Sequence, residues 1–420
     1  MPGPGMEFIG EEEIEEVVSL LREGYLFRHG VTVAGKRDAR FQGKVYEAER
    51  MFAKRTGSGH ALAVNSGTSA LFASVAALGI GPGDEVIVPG YGFIGTYSSV
   101  LQAWAVPVLA EIDQTFNIDP EDVKAKITPR TKAIMPVSML GNPARLDVLK
   151  AIADEHGLFM IEDCCQACGA TYKGKAVGTY GNAGAFSFNT YKPITSAEGG
   201  MIITDDQAIY DRCFALQDQG YARDPQQEQS MIGENPIIGY DLKYTELQAA
   251  VLVAQLRKLD GILSLLRANK RRYKEQIGDI LGLEYRDITD VDGECGTVLG
   301  AVFSEEKIAR AVAAELDTEV VEDTGWHVYS NMDHFMNQRT VWGDRTPWNH
   351  PEYRERGGNM EYHPGMLPRT DALLRRSINI SIGVADPGLG TQFGVNVLAN
   401  EEDIDTSAAR FREVARKHLG

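Results

Sequence analysis

No stretch of this 420-residue chain approaches 18 uninterrupted apolar residues, so a membrane-spanning helix is not expected. The opening MPGPGMEFIGEEEIEE has neither the basic segment nor the continuous apolar one that directs export, and a cytoplasmic location is expected. Positive charge is in deficit: 42 Lys and Arg stand against 59 Asp and Glu, a formal net charge of −17. A surface of that sign repels phosphate backbones, so nucleic acid is not an expected partner. Cysteine is scarce as well. Of five, three are bunched as Cys164, Cys165 and Cys168, an odd and clustered set that cannot staple distant elements. Cys213 and Cys295 stand alone with no His-x-x-x-His beside them, so no metal site is expected. There is no internal repeat and no low-complexity tract.

What is present is an ordinary globular composition, with 43% apolar and 24% charged residues. At about 150 residues per domain the length suggests two or three units. Residues 11–23 (EEEIEEVVSLLRE) place Ile14, Val17, Val18 and Leu21 at helical spacing, and Gly24 is a stop signal. Residues 27–43, rich in Gly, Arg and Lys, are predicted to be a loop. From His60 to Asp206, seven short apolar runs (ALAVN, DEVIVP, VPVLAEID, KAIMPVSML, LFMIED, AGAFSF and GMIITD) alternate with helical stretches. Several are apolar on both faces, as strands of a helix-covered parallel sheet are. The expected fold class is therefore α/β. Residues 246–275 form a long helical pattern, and residues 343–367, dense in Gly, Pro and aromatics, are predicted to be a long loop. The organisation expected is an N-terminal helix and arm (1–43), a large domain (44–265) and a smaller C-terminal α/β domain (266–420).

Three short segments carry the chemistry. Asn65-Ser66-Gly67-Thr68-Ser69 follows the strand ALAV and opens a helix, and the free N–H groups of Gly67 and its neighbours suit a phosphate. Ser and Thr there are equally common as helix caps. Phe159-Met160-Ile161-Glu162-Asp163 is an apolar strand ending in two acids, at the edge where α/β sheets bind ligands; a turn cap or surface pair is the alternative for Asp163. Lys192 lies in a polar turn between the strands AGAFSF and MIITD, although most single lysines are only solvated. Together the three meet the needs of one cofactor. Pyridoxal 5'-phosphate requires an amine for its Schiff base, a carboxylate to keep the pyridine nitrogen protonated, and an anion site for its phosphate.

With these motifs the sequence resembles the DegT/DnrJ/EryC1/StrS family, aminotransferases that make amino sugars and aminocyclitols on the fold-type-I pyridoxal phosphate scaffold. The likeness is strongest from Val45 to about Leu259. GYLFRHG and QLRKLDGI look most like the subgroup of 8-amino-3,8-dideoxy-octulosonate transaminases. The resemblance implies a mostly parallel seven-stranded sheet flanked by helices, and a homodimer with a shared active site. It implies that Thr68, Ser69 and Ser187 contact the phosphate, Phe93 of GYGF stacks on the pyridine ring, and Asp163 pairs with its nitrogen. Gln166 would lie near the ring hydroxyl and Lys192 would form the Schiff base. One departure stands out. Where relatives carry Gly-x-Asn-x-Arg, whose Asn reaches the partner's phosphate, this chain has Gly239-Tyr240-Asp241-Leu242-Lys243. Asp241 is then turned away, paired with Lys243, or reading something new. The usual Gly-Glu-Gly-Gly is Ala197-Glu198-Gly199-Gly200.

The expected function is transfer of an amino group from glutamate or glutamine to a keto or aldehyde group of a sugar, cyclitol or related metabolite. Pyridoxamine 5'-phosphate would be the carrier between two half-reactions, in amino-sugar or secondary-metabolite biosynthesis. The altered 239–243 segment leaves open the same carbanion used for elimination, replacement or carbon–carbon bond formation, and, more remotely, a non-catalytic regulator. For the substrate, Arg28 is a candidate for a bidentate grip on a carboxylate, and Tyr91, Trp326, His327 and Tyr329 for lining a polyol pocket. The alternative gives Arg28 a surface ion pair and the aromatics a place in the core.

Overall fold

In the computed structural model, which describes residues 3–30, 36–224, 229–231 and 237–420, all seven expected strands join one sheet. Residues 31–35, part of the loop expected over 27–43, lie outside the described residues. The strands are β1 (His60–Val64), β2 (Glu85–Pro89), β3 (Val106–Ala110), β4 (Thr131–Ile134), β5 (Phe159–Asp163), β6 (Ala183–Ser187) and β7 (Gly200–Thr204). Their spatial order is β1-β7-β6-β5-β4-β2-β3. Strands β2 to β6 run parallel, while β7 reverses and pairs antiparallel with both β6 and β1. Because β1 lies two reversals from β6, its carboxyl end returns to the same sheet edge. Nearly every strand residue is buried, as strands covered by helices on both faces must be.

The covering helices used below are α1 (Pro4–Glu7), α2 (Glu11–Glu23), α3 (Lys44–Thr56), α4 (Gly67–Ala77), α5 (Ile94–Gln102) and α6 (Glu246–Ile277). Helix α6 starts on a capping box, Thr245 with Gln248, which is why so long a helix begins sharply. It runs unbroken through 265/266, where a domain boundary was expected. Beyond it, β8 (Leu283–Tyr285), β9 (Val298–Phe303) and β10 (Ser377–Ser381) form an antiparallel sheet. Helices α7 (Glu306–Glu315) and α8 (Glu401–Leu419) pack on it over Phe303, Ile378, Ile380 and Phe411. Among the described residues no helix is long and apolar enough to cross a membrane.

Three expectations are corrected. Helix α2 spans the predicted residues but is turned: Ile14 and Leu21 are each 51% exposed, while Glu13 and Leu20 are buried. Glu13 accepts hydrogen bonds from Lys258 and Gln255 on α6, and that polar anchor sets the rotation. The segment 343–367 is irregular but not an open loop. It buries Trp348, Tyr353 and Tyr362, and Tyr362 accepts from the Trp348 indole at 3.0 Å while donating to the Pro107 carbonyl at 2.6 Å. Arg28, expected to grip a substrate or sit in a surface pair, is 3% exposed inside the protein. It donates to Glu49 at 2.7 Å, to the Ala63 carbonyl at 2.9 Å and to Gln217 at 3.1 Å, bolting the N-terminal arm to α3 and β1.

Removing one partner of a buried ion pair leaves the other charge uncompensated, at a cost of about 3–5 kcal/mol. Arg28→Ala is therefore expected to lower unfolding stability by about that amount in a urea titration; a loss below about 1 kcal/mol would mean that the pair is held no better than a surface one.

Candidate active site

The carboxyl ends of β1, β2, β4, β5 and β6 converge on a cavity of about 460 Å³. Asp163 closes β5 and is 3% exposed. Its backbone is fixed on both sides, the N–H donating to the Pro136 carbonyl at 2.9 Å and the C=O accepting from Ser138 at 3.0 Å. One carboxylate oxygen accepts from the Thr96 hydroxyl at 2.7 Å and the other from the Cys165 N–H at 3.1 Å. Among the described residues no cation pairs with it, so its charge is buried with hydrogen bonds but no counter-ion.

Across the cavity stands the N-terminus of α4. The Ser66 hydroxyl caps it by accepting from the Ser69 N–H at 3.0 Å, and the Ala70 N–H bonds the Ser66 carbonyl. That leaves the N–H groups of Gly67 and Thr68 without an acceptor among the described residues, at the positive end of the helix dipole. Glycine is required at 67 by close approach: a Cβ there would lie 2.7 Å from the Ser187 Cβ and 2.9 Å from the Cys165 sulfur. Thr68 and Ser187 both line the cavity. Lys192 lines it too, and its ammonium has no ion pair or hydrogen bond among the described residues. Its turn is held by N–H donation to Asn189 at 3.0 Å, and its carbonyl accepts from Gly5 of α1 at 3.3 Å. Gln166 accepts from the Leu140 N–H at 2.8 Å, and its amide donors have no partner among the described residues.

The remaining wall comes from far along the chain. The carbonyls of Trp326 and His327 accept from Ile94 and Gly92, at 3.2 and 2.8 Å, and this zipper sets the His327 ring 5.4 Å from Phe93. Nδ1 of His327 lies 2.7 Å from the Gly388 carbonyl, which can only accept, so Nδ1 carries the proton and Nε2 the lone pair. Burial lowers the His327 pKa to about 3 against a weaker opposing effect of that carbonyl, and the Lys192 charge lowers it further. The ring is a neutral acceptor. Asp386, also in the wall, has its carboxyl pKa raised by burial.

A cavity with a buried unpaired acid, an unpaired lysine and an open helix N-terminus is a cofactor site by its chemistry, and comparison with known proteins agrees. Residues 9–384 match the model of the DegT/DnrJ/EryC1/StrS aminotransferase family. The chain belongs to this family. It is 36% identical over 325 residues to the spore coat polysaccharide biosynthesis protein SpsC of Bacillus subtilis, covering 76% of this chain and 79% of that protein. It is 44% identical over 221 residues to the GDP-perosamine synthase of Caulobacter vibrioides, but that match spans 52% of this chain and 58% of the synthase. Among solved structures, 3-amino-5-hydroxybenzoic acid synthase has a TM-score of 0.76 at 27% identity, with 97% of each chain covered. DesV of S. venezuelae, solved with a ketimine intermediate, gives 0.71 at 26% identity over 97% of this chain and 94% of DesV. These place the sheet and its cavity on the fold-type-I aminotransferase scaffold.

Of the family positions expected from sequence, Gly67, Thr68, Phe93, Asp163, Gln166, Ser187 and Lys192 all line the cavity, with Trp326 and His327. Besides Arg28, four expected residues do not. The Ser69 hydroxyl accepts from Ser66 and donates to Asn65 at 2.7 Å, so it belongs to the helix cap. Tyr91 is fully buried, its hydroxyl bonded by Asn379 at 3.2 Å, and Tyr329 is buried with its hydroxyl donating to Asp371 at 3.2 Å. Asp241 is exposed and pairs with Lys243 at 2.9 Å, which also reaches the buried Asp218 at 3.1 Å. Sequence reasoning passed over Thr96 and Asp386. Thr96, three residues after Phe93 on α5, was within reach of inspection, whereas nothing local marks Asp386.

The His327 shift sets a sign for pH dependence. Between about pH 6.5 and 3 the unfolded chain protonates this ring and the folded chain does not, so stability falls as pH falls. At about 1.4 kcal/mol per pH unit, lowering the pH from 7 to 4.5 costs on the order of 2 kcal/mol from this residue. His327→Gln is expected to lose that much less than the parent over the same interval in denaturant titrations; equal losses would place the ring outside the buried wall.

Proposed function

We propose that this enzyme moves an amino group from glutamate or glutamine to a keto or aldehyde carbon of a sugar, cyclitol or related metabolite, with pyridoxal 5'-phosphate as cofactor. The observation that carries the reading is one cavity shared by a lysine, a buried carboxylate and two helix N–H groups that have no ion pair or acceptor among the described residues. Each is an unmet requirement, and the cofactor's aldehyde, protonated ring nitrogen and phosphate meet all three. Gly67, Thr68 and Ser187 would hold the phosphate, Phe93 the ring face, Gln166 the ring hydroxyl, Asp163 the nitrogen, and Lys192 the covalent link. When bound, the cofactor supplies the electron sink that lets the donor's α-proton leave, and it carries the amino group to the acceptor.

The chain's own groups do the rest. Asp163, held by Thr96 and Cys165, would keep a proton on the ring nitrogen of the bound cofactor through its buried charge. Lys192, with its amine free, would be the base at the donor's α-carbon and would take or return that carbon's proton. His327 would present a fixed lone pair to a hydroxyl of the acceptor, and Trp326, 59% exposed, lines the same cavity. Relatives named for polysaccharide biosynthesis and GDP-perosamine synthesis support a sugar acceptor. A homodimer is part of the same proposal, with apolar Ile14, Leu21 and Phe27 exposed as surface for a second copy.

The purified protein is expected to show a visible cofactor band that glutamate or glutamine bleaches, with ping-pong kinetics. A band that no common amino acid changes would favour the other carbanion chemistries. Lys192→Ala is expected to lower the rate by about 10⁴-fold or more, and Asp163→Asn by about 10²-fold or more with some cofactor binding retained. Rates within about tenfold of the parent for either variant would remove the assignment.

A further inference from the structure

A second cavity, of about 110 Å³, lies between α6 and the small antiparallel sheet, away from the site just described. Arg267, Lys270, Arg271 and Lys274 line it from one face of α6, at the spacing that stacks helical side chains. Tyr285 and Arg286 line it from the end of β8, and Glu294 is the one carboxylate in its wall. Five cations thus face one acid in a chain whose formal net charge is −17.

That acid is already engaged. Lys270 is 7% exposed and holds both Glu294 oxygens, at 2.7 and 2.5 Å. Arg286 is 3% exposed and has no carboxylate partner among the described residues. Its two terminal nitrogens donate to the carbonyls of Met139 and Leu140, each at 3.0 Å, and its Nε–H is buried with no acceptor. The Tyr285 hydroxyl is likewise buried without a partner. Arg271 and Lys274 have no ion pair among the described residues, and Lys274 lies 4.7 Å from the centroid of the Tyr285 ring. A buried guanidinium N–H and a buried hydroxyl without acceptors each cost stability unless something accepts from them.

We propose that this cavity binds a small tetrahedral oxyanion of the phosphate class. Arg271 and Lys274 close over it at the rim, while Arg286 and Tyr285 supply its buried donors. The space is large enough for one such ion. Arg286 links this cavity to the turn at Met139 and Leu140, whose carbonyls it holds and whose Leu140 N–H holds Gln166 in the catalytic cavity.

The test is calorimetric titration of the cofactor-loaded protein with inorganic phosphate in a chloride buffer, repeated with glycerol 3-phosphate. The expected result is one phosphate per chain, with binding weakened at least about tenfold in the Arg271→Gln, Lys274→Gln double variant. Tyr285→Phe is expected to weaken it by about tenfold through the lost hydrogen bond to an anion. Both rim residues are exposed and outside the catalytic cavity, so the visible cofactor band and the fold stay as in the parent. The α4 N-terminus is untouched in the double variant, so a difference from the parent reports this cavity even if that helix also takes phosphate. Stronger binding of glycerol 3-phosphate would identify a phosphate monoester as the natural source, and stronger binding of phosphate the free ion. No phosphate binding, or equal affinity in parent and double variant, would overturn the proposal.

Discussion

Everything at the catalytic site depends on one buried charge. Asp163 sits at the end of the central strand with its backbone bonded on both flanks; it is 3% exposed, and among the described residues no cation pairs with its carboxylate. Taking a carboxylate out of water costs several kcal/mol unless an opposite charge compensates it. Thr96 and Cys165 satisfy its oxygens but bring no charge. The fold therefore keeps a place in which a protonated ring nitrogen is stabilised, and the surrounding elements are arranged around that place.

The arrangement follows from sheet order. With β7 reversed between β1 and β6, the helix after β1 starts across the crevice from the end of β5, so phosphate donors and ring acid face one another. Glycines permit the distances: Gly67 lies against Ser187, and a Cβ on Gly95 would lie 2.8 Å from the Thr68 hydroxyl oxygen. The Lys192 turn is braced from outside by α1, where a Cβ on Gly3 would meet the Tyr191 backbone at 2.4 Å and one on Gly5 the Ile194 Cα at 2.7 Å. The far wall is docked through backbone hydrogen bonds from 92–94 to 326–327, which brings residues more than two hundred positions away against Phe93.

The strands of the large sheet could be read from sequence because a strand buried on both faces leaves a continuous apolar run, and each run sits between turn residues. The reversal of β7 left no such mark, since burial is the same in either direction. The cofactor residues were legible as a set because their chemistry is jointly demanding and close to strand ends. Burial was the hidden variable elsewhere. Arg28, Tyr91 and Tyr329 carry groups suited to a substrate, yet the structure spends their hydrogen bonds on Glu49, Asn379 and Asp371. Ser69 went to the helix cap, and the face of α2 was misjudged because Glu13, a charged residue, is the buried anchor. Asp386 depends on a loop whose position no local pattern encodes.

The most direct test of the account is reduction of the purified, cofactor-loaded protein with borohydride, followed by peptide mass mapping. The account predicts a single phosphopyridoxyl adduct, carried on Lys192. An adduct on any other lysine, or none after loading with the cofactor, would contradict it.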